Sequence, residues 1–238
     1  MDPATYHLLY EDDTGEVIGV DEMQLLEEPL TGRVPALRAL LRSPDGYIAF
    51  QAAQILTAWA DPAGIAYFED LVGHWPEGGP GYYAHRIYDY DTTADMIAEA
   101  ADVYVLSGGD RARATALLRA LLDLYGPVWF EGRLQDVLHR RGDPALADAA
   151  AAAVERAAAL GRNYLASQLL PALARWRGAA VLPLADRFSS SEDRPNPRLN
   201  VAAALQHVPP AAARARLERL AADPDPSVAA AARELLTR

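Results

Sequence analysis

The feature that most constrains this chain is a recurring line of residues. "GYIAFQAAQIL", "GYYAHRIYDYD", "VWFEGRLQDVL", "NYLASQLLPAL", "PRLNVAAALQH" and "PSVAAAARELL" follow one pattern. Each has a leading apolar residue, small or apolar residues four positions later, and often another at seven. That is the period of a helix face. Anchored at Ile48, Tyr83, Phe130, Leu165, Leu199 and Val228, the lines stand 35, 47, 35, 34 and 29 residues apart. A second helical stretch fits most gaps, over 63–73, 111–125, 144–159, 179–188 and 211–222. Several helices open on Asp-Pro, at Asp61-Pro62, Asp143-Pro144 and Asp223-Pro224. The aspartate accepts from free N–H groups of the first turn, and proline suits the first helical position. Similarity at a period of about 35 residues marks stacked helix pairs, each too small to bury its own apolar face. The expectation is a mainly α protein of about six helix pairs over residues 30–238.

Two of these segments, "DPDPSVAAAARELL" and "SPDGYIAFQAAQILTAWADP", resemble the HEAT-repeat, armadillo-like α-solenoid family. The resemblance covers roughly residues 30–238. It departs from the family where an alanine follows Val228, since arginine is common there. It implies a right-handed, curved stack of helix pairs with second helices on the concave side. It also implies a surface that grips proteins or other polymers.

The first 29 residues lie outside that pattern. "YHLLYEDDTGEVIGV" has two apolar runs around the turn formers "DDTG", which predicts a short β-hairpin over 6–10 and 16–20. Nine acids and no base fall in residues 1–28. Such a segment caps the first face of an array or forms a partner-binding arm.

Charge is unevenly spread. The net is -11, but residues 1–110 hold 20 acids against four arginines, and residues 111–238 hold 13 against 18. All 22 basic residues are arginine, as a GC-rich bacterial genome would favour. An acidic half attracts cationic partners and repels nucleic acid. The chain has no cysteine, which excludes disulfides and thiolate metal sites and points to a reducing, cytoplasmic setting. Neither a secretory signal nor an apolar run of bilayer length is visible, so no membrane partner is expected.

Three residues apart on a helix share a face, so Gln51 with Gln54, Arg86 with Asp89, Arg133 with Asp136, and Gln168 predict a polar ladder along the stack. The 47-residue gap marks the odd repeat. Tyr83, Ile87, Tyr90, Ala94, Ile97 and Ala101 form an apolar stripe there, beside a second stripe of Tyr88, Asp91, Asp95, Glu99 and Asp102. These stripes predict one long amphipathic helix over 82–106, ending before "SGGD". The candidate partner surface is Tyr82, His85, Arg86, Tyr88, Asp89, Asp91, Asp95 and Glu99, with Gln51, Gln54 and Arg133. It suggests a non-enzymatic protein-binding solenoid, resembling an immunity or antitoxin-type inhibitor of a basic partner, with no cofactor and no metal. The exposed tyrosines equally suit a homodimer, and the oligomeric state stays open.

Two other classes remain. His85 and Asp89 stand four apart and share a helix face, as an acid–base pair or as metal ligands with His139. No His-Glu-x-x-His pattern or glycine-rich phosphate loop accompanies them. Some helical-repeat proteins of similar kind are DNA glycosylases, and Arg133, Arg140, Arg141, Arg175 and Arg177 form a candidate basic patch. The acidic first half opposes a continuous basic groove.

Overall fold

The computed structural model describes residues 1–26, 30–84 and 90–237, and these residues form helices and isolated bridges but no sheet. The chain divides into two compact units, Met1–Ala120 and Leu121–Arg238. The first holds α1 (Pro3–Tyr10), α2 (Gly19–Gln24), α3 (Val34–Leu40), α4 (Gly46–Ala58), α5 (Pro62–Gly73) and α6 (Thr93–Leu106). The boundary falls inside α7 (Arg111–Leu124). The second holds α8 (Arg133–Arg141), α9 (Ala147–Ala159), α10 (Asn163–Gln168), α11 (Leu170–Arg177), α12 (Leu182–Asp186), α13 (Pro197–Leu205), α14 (Pro210–Leu220) and α15 (Pro226–Leu236).

The capping device read from the sequence recurs more often than expected. Asp2 before Pro3, Asp61 before Pro62, Asp143 before Pro144, Asn196 before Pro197 and Asp225 before Pro226 each accept a first-turn N–H. At the last site the cap is two residues later than predicted. Asp223 accepts from Asp225 N–H, and Asp225 in turn accepts from Ser227 N–H.

The predicted N-terminal β-hairpin is absent. Residues 3–10 are helical, and the Glu11–Val17 bridge is the trace of pairing left. Asp2 takes the N–H groups of Ala4 and Thr5 at 3.0 Å each, and Pro3 sits where a helix tolerates it. Leu9 then joins Val20, Met23, Leu37, Ile55 and Leu56 in one buried cluster. A short apolar run suits either a strand or a helix, and here the cap decides. The buried Arg33 closes the far end. Its guanidinium donates to the carbonyls of His7 at 3.0 Å, Glu11 at 2.6 Å and Asp12 at 2.9 Å, and to Asp13 Oδ1 at 2.9 Å. The guanidinium thus ties the last turn of α1 to the two residues that follow it.

The predicted helix over 82–106 is also corrected, because α6 begins at Thr93. Residues 82 and 83 are a turn, and Ala84 bridges Asp91. Asp91 accepts from the N–H of Thr93 at 3.0 Å and of Gly81 at 2.9 Å, while the Thr92 hydroxyl donates to the Tyr83 carbonyl at 2.8 Å. Side chains that bond nearby backbone give the chain an alternative to a helix.

In the first unit, every residue from Ala49 to Ala58 of α4 is buried. That helix packs against α2, α3, α5 and α6. In the second unit α8 packs on α11, α9 on α10, and α13 on α10, α11 and α15.

Candidate functional site

The glutamine ladder faces inward. Gln51 and Gln54 are 3% and 1% exposed. Gln51 Oε1 accepts from the Tyr10 hydroxyl at 2.7 Å, and Gln54 Oε1 from the Tyr83 hydroxyl at 3.0 Å. Gln51 and Gln54 are therefore interior struts, whereas Arg133 and Asp136 of the same predicted row are exposed and Gln168 is half-buried. The acidic stripe is corrected in the same way. Asp95 is fully buried and Asp102 nearly so, while Glu99 is half-buried. Asp91 clamps the loop before α6. Arg133 is exposed at the first position of α8, in the other unit. His85, Arg86, Tyr88 and Asp89 lie outside the described residues. Among the described residues, no three His, Cys, Asp or Glu side chains are grouped to hold a metal ion.

What the fold brings together in the first unit is tyrosine. Tyr6 and Tyr10, four apart on α1, have ring centroids 5.0 Å apart. The first turn of α4 supplies Tyr47, whose ring is 6.2 Å from Tyr82 and 5.9 Å from Tyr83. Phe50, one turn further on, anchors both loop tyrosines at 5.3 and 5.6 Å and contacts Phe68 of α5 at 5.2 Å. Tyr67 of α5 interacts with Tyr82. Gly46 permits this arrangement, because a Cβ there would overlap the Tyr82 hydroxyl. Tyr6 and Tyr47 are the open members, at 39% and 38% exposure, and Tyr10, Tyr67, Tyr82 and Tyr83 are half-buried.

The Tyr10–Gln51 bond joins the α1 pair to α4, one turn beyond Tyr47. Burial pushes the Tyr10 phenol up, opposed by its bond to Gln51 and helped by Tyr47, Tyr6 and Asp45. Burial does the same to Tyr83, followed by the influence of Tyr47 and Asp21. Tyr67 is raised by burial and then by Tyr82. Tyr10, Tyr67 and Tyr83 therefore stay protonated at neutral pH. The face offers aromatic area with O–H groups, ringed by carboxylates such as Asp45 and Asp21.

Of its members, the sequence reading picked out Tyr82 as a surface residue and Tyr83 as part of an apolar stripe. It missed Tyr6, Tyr10, Tyr47 and Tyr67. Reading 6–10 as a strand put Tyr6 and Tyr10 in the wrong period. The available signal was Asp2-Pro3, a helix start that sets the two tyrosines one turn apart. Tyr47 carries no local signal, since its neighbours come from distant segments. No family model matches the chain, and no curated protein and no solved structure shows significant similarity to it.

Proposed function

We propose that this chain is a protein-binding helical protein that holds a basic partner on the tyrosine face of its first unit. The observation that carries this reading is that Tyr47 of α4 meets Tyr82 and Tyr83 of the loop, while Tyr10 of the α1 pair bonds Gln51 one turn further along α4. Tyrosine gives large contact area at small entropic cost and is enriched among the residues that dominate interfaces. Guanidinium and ammonium groups stack on such rings. Residues 1–120 hold 20 acids against seven arginines, a net of -13, which draws cationic surfaces toward this unit. The α4–α5 pair, and the succession of α10, α11, α13 and α15, support a HEAT-like repeat arrangement. An acidic chain of this kind suits occlusion of a basic enzyme, as an immunity or antitoxin-type inhibitor does.

The test replaces the two open rings, Tyr6→Ser with Tyr47→Ser, and compares capture of basic proteins from native lysate. We expect the double variant to keep its helicity and to lose about tenfold or more of partner recovery, the effect of removing a hot-spot residue. Recovery equal to the unaltered chain sinks this reading. Asp91 and Asp95 are unsuitable for the test, because one clamps a loop and the other is buried.

A further inference from the structure

The second unit contains a polar cleft of about 260 Å³, lined by Gly132, Gln135, His139, Gln168 and Asn200, with an apolar wall of Pro171 and Ala172. Gln135 of α8 is 6% exposed. Its Nε2 donates to the Tyr125 hydroxyl and to Gln168 Oε1, both at 2.8 Å. Tyr125 itself donates to the Leu165 carbonyl at 2.7 Å. This relay sets the amide orientation. The tyrosine proton is committed to Leu165, so its oxygen accepts, and the Gln135 nitrogen faces it. Gln135 Oε1 is left buried without a hydrogen-bond partner, in a residue that lines the cleft. A buried acceptor of that kind is expensive to keep unless something donates to it.

Gln168 complements it. Its Oε1 is occupied by Gln135, while its Nε2 lies beside Gly132, where an added Cβ would still be 4.0 Å away. Two amides joined through one hydrogen bond thus leave one acceptor and one donor for a third group. Asn200 holds Ser167 with its Nδ2 at 2.9 Å and keeps Oδ1 for the cleft it lines.

The exposed Asp136 carboxylate at the rim of the cleft repels anions. One turn further along α8, His139 packs against His207, with ring centroids 5.2 Å apart, and the Arg175 guanidinium donates to the His139 carbonyl. Burial, followed by His139 and Arg175, holds His207 below the usual imidazole range.

We propose that this cleft binds a neutral primary carboxamide, the group that ends an asparagine or glutamine side chain. A primary amide presents N–H and C=O on one edge, which answers Gln135 Oε1 and Gln168 Nε2 together. A carboxylate has no donor for Gln135, and an ammonium has no acceptor for Gln168. The proposal concerns a different unit from the tyrosine face and does not depend on it.

The experiment is an NMR titration of the full chain with butyramide, using butyrate and butylammonium as charged probes of the same length. Butyramide is expected to shift the side-chain amide signals of Gln135 and Gln168 saturably. Both charged probes are expected to bind about fivefold or more weakly, the effect of one lost hydrogen bond. Gln168→Met keeps the length of this half-buried side chain and removes both its donor and the oxygen that holds Gln135. It should weaken butyramide by a similar factor while distant signals stay in place. Tyr6→Ser with Tyr47→Ser should leave the titration unchanged. No saturable shift with butyramide, an equal response to butyrate, or undiminished binding by Gln168→Met would overturn the proposal.

Discussion

Arg33 and His207 are single residues whose surroundings determine what they do. Arg33 sits outside any regular α-helix, and nothing in its sequence neighbourhood distinguishes it from the other arginines. In the folded chain it satisfies the carbonyls of His7, Glu11 and Asp12 at once. Arg33→Ala removes the donor to the Glu11 carbonyl and the second donor to the His7 and Asp12 carbonyls, which keep the N–H groups of Glu11 and Gly15, and the expected loss is about 1–3 kcal/mol. Urea unfolding measures the loss, and faster amide exchange across α1 locates it. Arg33→Lys should recover only part, because one ammonium cannot reach a fan of acceptors as a planar guanidinium does. His207 works through protonation. Burial, His139 and Arg175 place its folded pKa below that of a free imidazole. The unfolded chain therefore binds the proton more tightly. The stability it contributes is fully present above the free imidazole pKa, near ~6.5, and is lost as the pH falls toward the folded value. Melting temperature should drop on acidification through this window, and His207→Phe should flatten the slope. An unchanged slope in that variant would assign the acid sensitivity to other groups.

Elements were legible where a local signal coincided with a long apolar period. Residues 63–73 were expected to be helical from Asp61-Pro62 and the pattern after it, and α5 spans Pro62–Gly73. The predicted stretch 111–125 is α7, Arg111–Leu124. The two failures have a common cause. In 6–10 the run was too short for its period to be read, so one aspartate at the start settled the conformation. In 82–106 the apolar stripe was real from Ala94 onward, but Asp91 and Thr92 bound the preceding loop and delayed the helix. Polar side chains that bond their own backbone leave no periodic trace. How closely helices approach is equally hidden from sequence. Gly64 of α5 sits so near α4 that an added Cβ would be 2.5 Å from Thr57 N and 2.8 Å from the Ala53 carbonyl oxygen. Gly64→Ala should therefore cost about 1–3 kcal/mol through overpacking, although alanine is the better helix former. Gly73→Ala at the end of the same helix meets nothing within 4 Å. It should be neutral or slightly stabilising, and thermal melts of the two variants separate packing from propensity.

At the scale of the whole molecule, charge was the most readable property and the binding face the least. Acidic and basic residues can be counted along the chain, and the division at 120 leaves -13 in the first unit and 15 arginines against 13 acids in the second. The tyrosine face depends on three segments meeting, which no local pattern announces. Charge and tyrosine should also separate in kinetics. Long-range attraction is screened beyond about 10 Å at 0.1 M salt, whereas ring contacts are short-ranged and persist. A labelled octa-arginine peptide tests this as a basic surrogate. Its association rate with the full chain should fall steeply with added salt. Neutralising the exposed Asp21 and Glu22, as Asp21→Asn with Glu22→Gln, should slow association at low salt and leave dissociation nearly unchanged. Tyr6→Ser with Tyr47→Ser should do the reverse, raising the dissociation rate at every salt concentration with little effect on association. Binding that is indifferent to salt would remove the acidic unit from the account. Dissociation unaffected by the tyrosine pair would leave charge alone as the source of any affinity.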